Sequence, residues 1–209
     1  MPLYRDRIYP YVISRVGDPK PIRDLRRKVI AIAGGTVLEV GAGAGANFPH
    51  YDPARVTKLY ALEPNPGMIA LAEPQRPANL AVEYLESPGE RIPLQDASVD
   101  SVVSTFTLGT IPDVLSALRG IRRVLQPKGK LIFLELGGSP EAAVRRWQKR
   151  WEPAAHWLFE GLHLTLDIPS LLVESGFQIE NLEAKYLATF PKSWTFCSWG
   201  TAGVPASAR

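Results

Sequence analysis

Apolar positions along the chain follow two alternating patterns. Short runs rich in β-branched and aliphatic residues occur at Thr36-Val37-Leu38-Glu39-Val40 and at 58–62, 81–85, 101–106 and 130–136. Their length and continuity predict buried strands. Between them apolar residues recur at helical spacing. Ile22, Leu25, Val29, Ile30 and Ala33 share one face ahead of the first strand. Val114, Ala117, Leu118, Ile121, Val124 and Leu125 share another, up to a stop at Pro127-Lys128-Gly129. Asn65-Pro66 supplies a cap and a first-turn proline for a helix through Met68, Ile69 and Leu71.

Strands alternating with helices predict βα units and a mainly parallel sheet. The pattern changes after Leu136. A helix starting near Ser139-Pro140 carries Trp147 and Trp151 and is expected to break at Pro153. A shorter helix follows Asp167 and stops at Gly176, and 177–184 and 194–200 read as two closing strands. The expected fold is α/β: a seven-stranded, mainly parallel sheet with helices on both faces, an N-terminal helix and a late lid insertion. Its expected parts are N-terminal cap helices over 1–33, a cofactor-binding core over 34–136, a substrate lid over 137–176 and closing strands over 177–209. No repeat or linker interrupts them, so one domain is expected.

The 209 residues, 45 % hydrophobic and 22 % charged, have the balance of an ordinary globular domain. Cys197 is the lone cysteine, which excludes an internal disulfide or a cysteine–zinc cluster. No apolar run is long enough to span a bilayer, and the start lacks a signal-peptide core, so a cytoplasmic location is expected. Net charge is +3, but residues 1–30 hold eight Lys/Arg against three Asp/Glu while the remainder is slightly acidic. A basic leader suits an anionic partner such as a membrane surface, or is simply a solvated helix face.

Glu39-Val40-Gly41-Ala42-Gly43-Ala44-Gly45 sits where the first strand ends, the place where open α/β sheets bind ligands. Alternate glycines let backbone approach a ligand and adopt positive φ; a purely structural glycine turn is the alternative. The spacing is not G-x-G-x-x-G, because Ala46 takes the last slot, and no Gly-Lys-Ser/Thr follows. Glu63 ends the second strand, where a carboxylate can accept both hydroxyls of a ribose. Glu39 is an acid inside a strand and needs a ligand cation or buried donors. A cofactor with a ribose, an ammonium and a sulfonium answers both.

Several ordered motifs carry a resemblance. Glu39-x-Gly41-x-Gly43-x-Gly45, Glu63-Pro64-Asn65-Pro66-x-Met68, Gly89-Glu90-Arg91-Ile92-Pro93-Leu94 with Asp96-x-x-x-Asp100, and 124–130 followed by Glu135 resemble the class I S-adenosylmethionine-dependent methyltransferases. The resemblance implies that Gly41, Gly43 and Gly45 approach the methionine part and Glu63 holds the ribose. It also implies that Pro64 and Met68 pack on adenine, Gly89 and Glu90 lie at its edge, and Thr105 faces the transferred methyl. For Met68 plain helix packing is the alternative.

A narrower resemblance rests on Arg26-Arg27-Lys28, Gly45-Ala46-Asn47-Phe48-Pro49-x-Tyr51, Trp157-x-Phe159-x-Gly161 and Gly176-Phe177. These are similar to the methyltransferase-like alkyl thiol S-methyltransferases and their bacterial relatives, and they add Asn47 to the cofactor residues. Leu162 and Leu166 depart from that branch, which has a cysteine and an arginine there, and the hydrophobic anchor of its animal members has no counterpart here.

A thiol acceptor is already partly ionised near neutral pH and needs little help, whereas a phenol or carbon acid wants a general base. The three histidines show no metal spacing, so no metal is expected. His163, just after Gly161, is the candidate catalytic residue, with ordinary packing as the alternative; His50 is a weaker one. The tryptophan-rich stretch 147–159 reads as a lid that favours a small apolar acceptor, or as core packing. Tyr4, Tyr9 and Tyr11 are expected to fold the leader over the pocket. Cys197 reads as an inert strand residue. The expected activity is methyl transfer from S-adenosylmethionine to a thiol. The alternatives are a quinone, phenol or phospholipid headgroup acceptor, or a cofactor-binding module without turnover. Nucleic acid is not an expected partner, since 31–209 is slightly acidic and no Asn-Pro-Pro-Tyr/Phe follows the fourth strand.

Overall fold

The structure, a computed structural model, describes residues 18–188 and 191–205 together with Tyr11. Seven strands, β1 (Gly35–Val40), β2 (Val56–Leu62), β3 (Val82–Leu85), β4 (Val99–Thr105), β5 (Leu125–Leu136), β6 (Gln178–Tyr186) and β7 (Phe196–Gly203), form one sheet. Their order is β3-β2-β1-β4-β5-β7-β6. All pairings from β3 to β5 are parallel, and β7 runs antiparallel between β5 and β6. The chain proceeds outward from β1 in one direction and from β4 in the other. This puts the topological switch point, and so the natural ligand crevice, between the carboxyl ends of those two strands.

Alternation along the strands builds two cores. Val37, Val103, Ile132 and Leu134 face helix α1 (Lys20–Ile30), which contributes Ile22, Leu25, Val29 and Ile30. Leu38, Val102, Leu131 and Phe133 face α3 (Val114–Val124) and α5 (Ile168–Glu174) on the other side. Local chemistry starts the helices. Asn65 Oδ1 accepts from the Gly67 and Met68 amides and caps α2 (Pro66–Ala72); Asp113 and Asp167 cap α3 and α5 through the Ser116 and Ser170 amides.

Two expectations are corrected. Helix α4 (Ala142–Leu158) does not break at Pro153 but runs through it. Pro153 lies on the exposed side, where water can donate to the Lys149 carbonyl in place of the N–H that proline lacks. The stop at Pro127-Lys128-Gly129 lies inside β5, which begins at Leu125 and shifts register against β4 between Val99 and Ser101. Within 137–176, the expected lid, the structure places residues in two environments. Helix α4 and the chain after it border the cleft, whereas Ile168 and Leu172 of α5 belong to the core beneath the sheet.

Candidate active site

A cleft of about 2270 Å³ opens at the switch point, and all twelve site residues named from the sequence line it. At one end lies the glycine loop. Gly41, Gly43 and Gly45 have φ of 69°, 54° and 78°, a region that costs an L side chain roughly 1–2 kcal/mol. A Cβ on Gly41 would stand 2.3 Å from the Thr107 side chain, and one on Gly45 would meet the Phe48 ring, so both are also needed for packing. Gly43 differs: nothing stands within 4 Å of its Cβ position, and its backbone faces open cleft. The Gly43 amide donates to Glu63 Oε2 at 2.9 Å and the Asn65 amide to Glu63 Oε1 at 2.9 Å. These two bonds fix the Glu63 carboxylate on the cleft wall.

Below the loop lies a buried polar network. Glu39 is 1 % exposed. It accepts from Asn47 Nδ2 and from the Tyr51 hydroxyl, both at 2.8 Å. Burial pushes its carboxyl up to about 7, against the lowering effect of those two donors and of Arg26. Asn47 Nδ2 also donates to Thr105 Oγ1 at 2.9 Å. Arg26, reaching in from α1, donates Nη1 to Asn47 Oδ1 (2.9 Å) and Thr105 Oγ1 (2.6 Å). Its guanidinium lies 4.9 Å from the centre of the Phe106 ring. Phe106 itself takes φ of 55°, a strained conformation for a bulky residue at the end of β4.

Neither Arg26 nor Glu135 was singled out as a site residue from the sequence. Arg26 had a signal: it sits one turn after Ile22 on the apolar face of α1, where a cation must have buried partners. Glu135, 1 % exposed, accepts from Ser104 Oγ and from the Thr107 and Leu108 amides, tying down the chain after β4. Burial pushes it up to about 7 as well.

The other end of the cleft is aromatic, with Trp151, Trp157, Phe159 and Trp194 on its wall. Trp147 is not part of that wall and stands 55 % exposed. His163, His156 and His50 all line the cleft. Cys197 is fully buried on β7, and desolvation raises its thiol. Tyr4 and Tyr9 lie outside the described residues. Among the described residues no three His, Cys, Asp or Glu side chains stand together as a metal site, and no helix is long and apolar enough to cross a membrane.

Comparison with known proteins gives the same fold. Residues 38–133 match a family model described as a methyltransferase domain. The rat thiol S-methyltransferase TMT1B is 31 % identical over 71 % of this chain and 62 % of its own length. The demethylmenaquinone methyltransferase of Clavibacter sepedonicus is 25 % identical over 87 % of this chain and 69 % of its own. The chain thus spans under two thirds of the thiol methyltransferase it resembles. Among solved structures, a SAM-dependent methyltransferase of Leishmania major superposes with a TM-score of 0.70 over 95 % of this chain and 80 % of that one, at 16 % identity.

Proposed function

We infer, from the methyltransferase domain that residues 38–133 form, that the chain transfers a methyl group from S-adenosylmethionine to a small apolar acceptor, first of all a thiol. The observation that carries this reading is the continuity of the cleft. One volume of about 2270 Å³ joins a glycine-and-carboxylate end to an aromatic end. That exceeds the roughly 300–1,000 Å³ of a single small-molecule site and leaves room for cofactor and acceptor together. The residues fit the cofactor: Gly43 leaves open space at the loop, and the Glu63 carboxylate is pre-oriented. In this reading Gly41, Gly43, Gly45 and Asn47 border the methionine part, with Glu39 beneath as anchor of the network. Glu63 holds the ribose, Pro64, Met68, Gly89 and Glu90 hold the adenine, and Thr105 lies beside the methyl.

Bound there, the cofactor supplies a methyl group on a sulfonium leaving group. What remains for the protein is alignment and exclusion of water, which supply about 7–11 kcal/mol in well-oriented reactions. The thiol reading is supported by the aromatic acceptor end and by the thiol methyltransferase relatives. A quinone or phenol acceptor is the second reading, supported by the demethylmenaquinone methyltransferase relative.

S-adenosylhomocysteine at a hundredfold its dissociation constant is expected to stabilise the chain by about 2.7 kcal/mol, and a nicotinamide dinucleotide not at all. A panel of alkyl thiols, phenols, quinones and amines, scored by S-adenosylhomocysteine release, should then favour the thiols. No thermal shift would remove the cofactor assignment; turnover of amines alone would remove the thiol.

The outer side of α4 bears on how such acceptors arrive. Trp147, Trp151, Ala154 and Leu158 follow one another at i, i+4, i+7 and i+11, and the two tryptophans and Leu158 are exposed. Beside them Arg146, Lys149 and Arg150 make no ion pair among the described residues. Ile22 and Arg23 of the leader border the same cleft. An aromatic stripe flanked by cations suits the headgroup zone of an anionic bilayer, at about 1 kcal/mol per cation. The chain should therefore sediment with anionic vesicles at low salt and be released at high salt. Absence from the low-salt pellet would refute this contact and leave the methyl-transfer reading intact.

A further inference from the structure

Helix α4 turns a second row of side chains inward, at Gln148, Glu152 and Ala155. Gln148 is 1 % exposed. It accepts from the Ser139 amide and donates to the Gly137 and Leu164 carbonyls, clamping the helix against the returning chain. One turn on, Glu152 Oε1 lies 3.0 Å from His163 Nδ1, and Glu152 Oε2 accepts from Thr165 Oγ1 at 2.8 Å. Both carboxylate oxygens are held, so the group cannot rotate away. The His163 backbone amide donates to the Gly109 carbonyl at 2.8 Å. Gly109 follows β4 on the same loop whose Thr107 side chain packs against Gly41. His163 is thus fastened where the glycine end of the cleft meets the aromatic end, and its side chain is 40 % exposed.

A carboxylate at Nδ1 can only accept, which places the proton of the neutral imidazole on Nδ1 and leaves the lone pair on Nε2. We propose that His163 is the general base for the methyl acceptor and Glu152 its positioning residue, with Thr165 holding the second carboxylate oxygen. This rests on the methyl-transfer reading and requires an acceptor with a proton on the attacking atom, taken here as the S–H of the alkyl thiol already proposed. In the step assigned to the pair the S–H bond breaks, an N–H bond forms at His163 Nε2, and the electron pair stays on sulfur as the nucleophile. Glu152 stabilises the resulting imidazolium, and the proton returns to solvent from the half-exposed ring. Besides Glu152, His156 of α4 stands near His163, with ring centres 5.2 Å apart, and Glu160 on the adjoining chain lines the same cleft. The loop from Thr107 to Thr110 brings no charge.

The test compares the intact chain with His163→Gln and Glu152→Gln, using a simple alkyl thiol and S-adenosylmethionine. His163→Gln should lower kcat by about 10–100-fold near neutral pH, with the loss shrinking at high pH as the thiol ionises unaided. Glu152→Gln should lower kcat with KM little changed and shift the pH profile. Both should still bind S-adenosylhomocysteine, which shows that they fold. Imidazole ¹⁵N NMR of the protein without acceptor gives a readout independent of turnover. His163 should be the Nδ1–H tautomer in the parent chain and lose that preference in Glu152→Ala, which leaves no side-chain acceptor at Nδ1, whereas Glu152→Gln can keep it through its side-chain carbonyl. An Nε2–H tautomer, or one indifferent to Glu152→Ala, would overturn the pairing, and unchanged rates and pH profiles in His163→Gln and Glu152→Gln would overturn the base. If the parent chain binds S-adenosylhomocysteine yet methylates nothing in the panel, the function reading fails while the NMR result still decides the pair.

Discussion

Glu135→Gln is expected to make the ligand-free protein more stable at pH 8 while leaving its stability at pH 4.5 nearly unchanged. Glu135 and Glu39 ionise only at about 7 in the folded chain, against 4.5 for an exposed carboxyl. Between those values the folded state binds more protons than the unfolded one. Stability attached to these groups is therefore full below about 4.5, declines as pH rises to about 7, and levels off above it. A shift of that size corresponds to on the order of 3 kcal/mol per carboxyl. Glutamine suits the Glu135 position. Its carbonyl can accept from the Thr107 and Leu108 amides, and its amide can donate to the Ser104 hydroxyl that now donates to Glu135. Glu39 is the poorer position for this test, because Asn47 and Tyr51 donate to both of its oxygens. Urea unfolding of the two proteins from pH 4.5 to 8 gives the result directly. Parallel profiles would show that Glu135 is ionised at no unusual cost.

Glu63→Ala is expected to weaken S-adenosylhomocysteine binding by about 1.5–3 kcal/mol, the range for hydrogen bonds to a charged group. The carboxylate is 8 % exposed and stands at the end of β2, held by the Gly43 and Asn65 amides. Its loss removes both the acceptor proposed for the ribose hydroxyls and the partner of the Gly43 amide in the glycine loop. The sheet register does not depend on the side chain, so the variant should fold. Calorimetric titration checks the affinity, and undiminished binding by a folded variant would place the ribose elsewhere.

Elements with a local signal were legible in the sequence. Five of the seven strands fall where β-branched and aliphatic runs announce them, and α2 starts at the Asn65-Pro66 cap. The glycine loop follows from the need for positive φ at three alternate residues, and Glu63 from its place one strand later. Residues that share this βα framework are brought to one cleft by the strand order, so the eleven named positions within it could be chosen without coordinates.

Contacts between distant segments were not legible, because periodicity reports which face a residue occupies and not what lies opposite. Arg26 meets Thr105 across 79 positions, and nothing near either residue encodes the other. The Glu152–His163 pair forms only because α4 continues through Pro153 and Gln148 clamps it to the returning chain. The antiparallel insertion of β7 between β5 and β6 likewise depends on which sheet edge is free when the last segment docks. The sequence by itself determined the elements, the glycine loop and the carboxylates at the strand ends, since each follows from a residue and its neighbours. The tertiary structure alone decided the buried charge network beneath the loop and the histidine–carboxylate pair above it, since each needs partners that only packing brings within hydrogen-bond reach.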